Sequence, residues 1–264
     1  CRKAIGNRTA TQWMPGSTAM GHRPPEATAG PTALGSAVPL PEQERSGLLN
    51  RFDRVERAVH WTNAILFAVL VVTGAALYFT PLTAIVGRRE LIERIHLYAG
   101  LALPVPLILA LSGSWGQALR RDIRRFNRWS PDDQRWLRAV ARPAEQRRQV
   151  FAHVRVGKFN AGQKLNAAFT VGAGLVMLAS GAILRWYRPF PLSLRAGATF
   201  VHNWLALAFL IVISGHVLMA LADRQALKSM LFGRISRAWA RHHAPAWLDE
   251  LSQGEGSPAE QTGR

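Results

Sequence analysis

The sequence predicts an all-α membrane protein, a four-transmembrane-helix bundle with cytoplasmic N- and C-termini, on three observations. Asp, Glu, Lys and Arg are absent between Arg57 and Arg88, Arg94 and Arg120, Lys164 and Arg185, and Arg195 and Asp223, and each interval is rich in Leu, Ile, Val, Ala and Phe. A membrane-crossing helix needs roughly 20 apolar residues, so four spans fit. Twelve Lys and Arg lie between Gln117 and Ala161, and the segments before the first span and after the fourth are also basic, whereas the other two connections carry only a few. This alternation follows the positive-inside rule and assigns both termini and the long central loop to the cytoplasmic side. Finally, four of the eight histidines, His60, His96, His202 and His216, fall within the spans.

The net charge of +17 and runs such as LRRDIRRFNRW would suit a nucleic-acid surface. Position argues otherwise: the arginines flank apolar spans, so the expected partner is membrane lipid and not nucleic acid. The single cysteine, Cys1, excludes an internal disulfide framework and a cysteine-held iron–sulfur cluster in this chain.

Residues 1–50 are rich in Gly, Pro, Ala, Ser and Thr without a long apolar core, and they read as a disordered extension rather than a signal peptide or a domain. The membrane domain is expected over 51–250, with spans at 58–79, 95–118, 162–186 and 198–222. Pro81 should end the first span, and Pro104 with Pro106 should kink the second. In the central loop, 119–161, SPDDQRWLRAV has a Ser cap, a first-turn Pro and early acidic residues, the signature of an amphipathic helix. The third span carries Gly172 and Gly174, which permit close approach of a helix or a flat cofactor. After the fourth span, LKSMLFGRISRAWARHHAPAWLDEL is expected along the inner face with its Trp and Leu towards lipid. Residues 251–264 read as disordered, and no internal repeat is evident.

His22, His153, His242 and His243 lie outside the spans and read as solvated surface residues. The four intramembrane histidines sort by depth. With the N-terminus inside, His60 falls near the inner face, His96 near the outer, His202 in the outer half of span four and His216 in its inner half. Fourteen residues separate the last two, about 21 Å at a rise of about 1.5 Å per residue and nearly four whole turns, so both rings leave one side of the helix. Depth pairs His96 with His202 and His60 with His216. Two neutral imidazoles across a gap suit the axial positions of a haem iron. Zinc would want three or four ligands per site, and the spans hold no Cys, Asp or Glu to complete them. A histidine-based metal or proton transporter and purely structural histidines remain as alternatives.

The order RFDRVERAVHW, RIHLYAG, GKFNAGQK, VHNWLALAFLIVISGH and GRISRAWARHHAPAW resembles the cytochrome b (gamma) subunit of respiratory formate dehydrogenase, over roughly Arg51 to Glu250. The histidine pattern is shared with cytochromes b of nickel-iron hydrogenases and thiosulfate-reductase-like complexes, whereas GKFNAGQK and the basic tail belong more to the formate dehydrogenase type. The resemblance implies two haem b, His96 and His202 as ligands of the outer and His60 and His216 of the inner. It implies a quinone pocket at Asn160, Gly162 and Gln163, with ubiquinone or menaquinone as acceptor. From the residues alone, NAGQK could equally be a plain helix start. The implied setting is a bacterial inner membrane and a respiratory complex, assembled as a trimer of heterotrimers, with an iron–sulfur (beta) subunit and a molybdenum- or tungsten-containing catalytic (alpha) subunit. Arg88, Arg89, Arg188 and Arg195 would then dock the iron–sulfur partner or simply anchor the membrane interface. This chain holds no residues for formate chemistry itself, so its expected part is electron transfer.

Overall fold

Asp53 opens the first long helix of the computed structural model, which describes residues 47–255. Its carboxylate accepts from the Glu56 N–H at 2.7 Å while the Glu56 carboxylate accepts from the Asp53 N–H at 2.7 Å, a capping box that starts α1 (Arg54–Tyr78). Pro81 sits in the first turn of a short second helix, α2 (Thr80–Val86), which stops at Gly87, a left-handed residue at φ 67°. The second apolar crossing is two helices, α3 (Arg89–Ala102) and α4 (Val105–Ser112), broken at Leu103 and Pro104.

That crossing starts and ends six residues before the expected 95–118. Two causes act. The ion pairs Arg89–Glu93 at 2.9 Å and Arg94–Glu90 at 2.5 Å support a polar first turn that precedes the apolar run. At the other end, Gly113 turns the chain into a single 3₁₀ turn, Ser114–Gly116, folded so tightly that a Cβ on Gly116 would lie 1.8 Å from the Ala110 carbonyl oxygen.

The basic connection is folded as α5 (Gln117–Phe126), α6 (Pro131–Val140) and α7 (Ala144–Phe151). Ser130 and Asp133 form the capping box of α6, in the segment where the Ser-Pro-Asp-Asp pattern leads one to expect a helix. Two long helices follow, α8 (Ala161–Arg185) and α9 (Leu192–Ala222), the latter starting six residues before the expected 198. α10 (Arg224–Phe232) ends at left-handed Gly233. There the chain enters β2 (Arg234–Ser236), which pairs antiparallel with β1 (Leu48–Asn50), Leu49 opposite Ile235. α11 (Arg237–His243) and α12 (Pro245–Glu255) close the described chain.

Three expectations need correction. Residues 48–50 are a strand and 251–255 are helical, because the two segments pack on one small core; the expectations for 1–46, His22 included, and for 256–264 lie outside the described residues. The segment after span four does not present its tryptophans to lipid. Trp239 and Trp247 are buried with Leu49, Ile235, Ala240 and Ala244, since the left-handed turn at Gly233 folds that segment back onto β1.

In the bundle, α1 packs chiefly on α3 and α8 on α9, giving two helical hairpins. Phe209 of α9 is 4% exposed and joins them, its ring centroid 5.3 Å from Phe67 of α1 and 5.1 Å from Phe169 of α8. The outward faces are apolar and bare, including Val72, Ile108, Leu175, Ile211 and Leu218, as for helices that lie in lipid.

The end that carries α5–α7 is polar and cross-braced. Lys158 ion-pairs with Asp122 of α5 at 2.5 Å and lies 3.7 Å from Glu56 of α1, its ammonium over the rings of Phe52 and Phe159. Arg51 lies over Trp239 at 4.5 Å, and burial pulls its guanidinium down to about 10 while Asp223 and Asp122 oppose the change. Lys164 of α8 donates to both carboxylate oxygens of Asp133 (2.9 and 2.8 Å) and to the Arg128 carbonyl (2.8 Å), docking α6 on α8. Burial alone would raise the Asp133 carboxyl, but the bonds from Lys164 and Ser130 outweigh it and hold it below the usual carboxylate range. A depressed carboxyl contributes stability above its unfolded pKa and loses it as the pH falls through the folded one. Asp133→Asn, which strands a buried ammonium, should cost about 3 kcal/mol near neutrality. Thermal unfolding in detergent should show that gap closing as the pH drops below about 4.

Candidate functional site: two facing histidine pairs

The structure brings the four intramembrane histidines together as two pairs. The rings of His60 (α1) and His216 (α9) have centroids 6.2 Å apart and planes at 61°; those of His96 (α3) and His202 (α9) are 6.4 Å apart at 65°. Phe209 lies seven residues from either histidine of α9, so the aromatic cluster fills the bundle between the pairs. His60 and His216 sit towards the cross-braced end, where α1 starts and α9 finishes, and His96 with His202 towards the other.

Neither separation allows the rings to bond one another, yet both fit a single atom held between them. An imidazole nitrogen binds a first-row metal at about 2.0 Å and lies about 1.1 Å from its own ring centre, so two rings on opposite sides of one iron have centres about 6.2 Å apart. Among the described residues no group of three or more His, Cys, Asp or Glu could hold a bare metal ion. A planar group that fills the remaining iron positions itself, as haem does, therefore fits this donor set better than zinc.

In one pair, one nitrogen of each ring is also accounted for. Thr73 Oγ1 on α1 donates to the Val69 carbonyl at 2.6 Å and lies 2.9 Å from His96 Nδ1. Ser180 Oγ on α8 donates to the Val176 carbonyl at 2.8 Å and lies 2.9 Å from His202 Nδ1. A hydroxyl has one proton, and each has spent it on its own helix, so Nδ1 carries the hydrogen and Nε2 is left bare. Each hydroxyl is followed by a glycine against the same ring: a Cβ on Gly74 or Gly181 would meet Cε1 of His96 or His202 at 3.3 Å.

The segment 160–163 has a different character. Asn160 caps α8, its Oδ1 accepting from Gln163 N–H at 2.9 Å while Gln163 Oε1 accepts from Asn160 N–H at 3.0 Å. A Cβ on Gly162 would lie 2.8 Å from the Trp136 ring, so this glycine admits α6 against α8. Thus Asn160, Gly162 and Gln163 build the helix start; the cap uses the Asn160 Oδ1, and its NH₂ makes no hydrogen bond among the described residues. They lie at the same end of the bundle as the His60–His216 pair.

Sequence reading missed Thr73, Gly74, Ser180 and Gly181, although a hydroxyl-Gly dipeptide stands 23 and 22 residues before a histidine of the same pair. It also missed Asn63, three residues from His60, whose buried amide oxygen has no hydrogen-bond partner among the described residues. His153 and His242 are exposed; His243 is exposed as well, but its ring stacks on Trp239 at 4.6 Å.

Four apolar helices enclosing facing imidazole pairs define a membrane cytochrome of the b type. The chain belongs to the prokaryotic cytochrome b561 family, whose model matches residues 51–233, and membership implies haem b. It is similar to the nitrate-inducible formate dehydrogenase cytochrome b556(Fdn) subunit of Escherichia coli (strain K12), 26% identical over 229 residues, which are 83% of this chain and 99% of that protein. It is likewise similar to the formate dehydrogenase cytochrome b556(fdo) subunit of that strain, 26% identical over 228 residues, 82% and 100% of the two chains. With the formate dehydrogenase cytochrome b556 subunit of Haemophilus influenzae, identity is 25% over 201 residues, 74% and 79% of the two chains.

Gly74→Val and Gly181→Val should each push a histidine ring out of line and lower the haem-to-protein ratio of the purified protein. Gly174→Ala, where nothing lies within 4 Å of the new Cβ, should leave that ratio unchanged.

Proposed function

We propose that this chain is the membrane cytochrome b subunit of a formate dehydrogenase complex. It would pass electrons from an iron–sulfur subunit through two bis-histidine sites to a membrane quinone. The observation that carries the electron-transfer reading is the placing of two imidazole pairs, each spaced for one iron, at two depths along a single helix. The formate assignment rests on similarity along nearly the whole of relatives so named.

Haem b supplies one-electron carriage when bound. His96 with His202, and His60 with His216, would hold the two groups, and each site would serve electron transfer. α9 is common to both sites and keeps their separation constant. Phe209, packed between Phe67 and Phe169, puts apolar rings in the space between. The basic cross-braced end would face the cytoplasm, so electrons would enter at His96–His202 on the outer side and leave at His60–His216 on the inner. There the free Asn160 NH₂ would donate to a quinone carbonyl, and the cytoplasmic solvent would supply protons. Inward electrons and inner protons then charge the membrane. No residue of this chain is assigned to formate oxidation, which falls to a molybdenum- or tungsten-containing partner.

Reduced-minus-oxidised spectra should show a b-type α band, and pyridine haemochrome quantitation about two haems per chain; a colourless protein would refute the cytochrome reading. His216→Ala should remove one haem and abolish quinone reduction. Affinity purification from native membranes should recover a formate-oxidising subunit, whereas a hydrogenase large subunit in its place would overturn the formate assignment.

A further inference from the structure

The two histidine pairs differ in what stands behind them. His96 and His202 each have a hydroxyl at 2.9 Å from Nδ1, supplied by the neighbouring helix of the same hairpin. Each hydroxyl also lies within reach of a second carbonyl of its own helix, Thr73 Oγ1 3.3 Å from the Leu70 oxygen and Ser180 Oγ 3.1 Å from that of Met177. With its proton committed to its own helix, each hydroxyl can only accept from the ring, which holds both rings as the Nδ1–H form. His60 and His216 make no hydrogen bond through either ring nitrogen among the described residues, and their nearest ring neighbours are Trp61 and each other.

The matching parts are equivalent in the two hairpins. Thr73-Gly74 on α1 supports His96 on α3, and Ser180-Gly181 on α8 supports His202 on α9, at separations of 23 and 22 residues. In each, the hydroxyl is tied to a carbonyl four residues back on its own helix, so its position is fixed by backbone rather than by a free rotamer. The glycine next to it lets the ring approach to within 3.3 Å of where a Cβ would stand. One site thus has a two-fold arrangement of acceptors around it that the other lacks.

We infer that Thr73 and Ser180 are positioning residues that make the His96–His202 site the lower in reduction potential of the two. This rests on the reading of the histidine pairs as haem-binding. An acceptor on Nδ1–H draws the proton outwards and adds imidazolate character to the ring. A more basic Nε2 stabilises the ferric over the ferrous state, and the potential falls. Two such acceptors on one site and none on the other set a downhill step from His96–His202 to His60–His216, without any difference in ligand type.

The test is an optical redox titration of the purified, haem-loaded protein, in which the two haems give two waves. Thr73→Val and Ser180→Ala should each move the lower wave upwards, and the double variant should move it further, with the upper wave in place. Thr73→Ser and Ser180→Thr keep the hydroxyl and should leave both waves where they are. A double variant that keeps both haems with neither wave moved, or with both moved equally, would overturn the inference; so would a hydroxyl-keeping variant that shifts as far as the hydroxyl-free one. His96→Ala separates this from the underlying reading: if it retains both haems, the histidine pair is not a haem site at all.

Discussion

In a medium without water, a polar side chain must find its partners inside the protein, and this constraint governs the arrangement of the spans. An imidazole has two nitrogens to satisfy. His96 and His202 each bring Nδ1 to within 2.9 Å of a hydroxyl, which leaves Nε2 for a ligand. Those hydroxyls could not serve if their own protons were loose, so each is committed to a carbonyl one turn earlier on its helix. The order of dependence runs from backbone to hydroxyl to ring to the space between the rings. A glycine completes each set because a ring so directed has room on that side for hydrogen only.

The cross-braced end obeys the opposite rule. There charge is abundant, and it is placed to hold short helices against the ends of long ones. Lys158 reaches Asp122 and Glu56, Lys164 reaches Asp133, and Arg125 bridges Asp122 to Glu250. The buried pairs of Lys158 and Lys164 add little net stability over apolar packing but penalise any arrangement that leaves one partner alone, while the exposed Arg125–Glu250 pair adds a weaker tie to α12. Their effect is to specify where α5, α6 and α12 sit, and with them the start of α8 at Asn160.

Much of the architecture was legible because it depends on composition and period. Four intervals free of charge give four long apolar crossings, and a fourteen-residue interval puts two rings on one side of α9 whatever its neighbours are. What was not legible depends on contacts distant in sequence. The burial of Trp239 and Trp247 needs β1, which lies some 190 residues earlier. The displaced second crossing turns on a clearance at Gly116 that no hydropathy window registers. Asn160 and Gln163 illustrate the subtler case: at a spacing of three they satisfy a capping box, and NAGQK reads the same whether it is a helix start or the pocket that the resemblance implies. Thr73 and Ser180 were hidden because a single hydroxyl in an apolar helix is common and takes its meaning from the ring opposite.

The pairing of residues 48–50 with 234–236 bears on how the protein is made. β1 precedes the four described crossings along the chain, and its partner follows them. The ribbon cannot close until insertion is complete, and it brings together the two flanks of the bundle, Arg51 settling on Trp239 as it does so. A contact of such long sequence separation forms late in folding. It works as a record of assembly: a chain that has lost a crossing would carry β1 and β2 to opposite sides of the membrane and leave Trp239 and Trp247 without the strand that covers them.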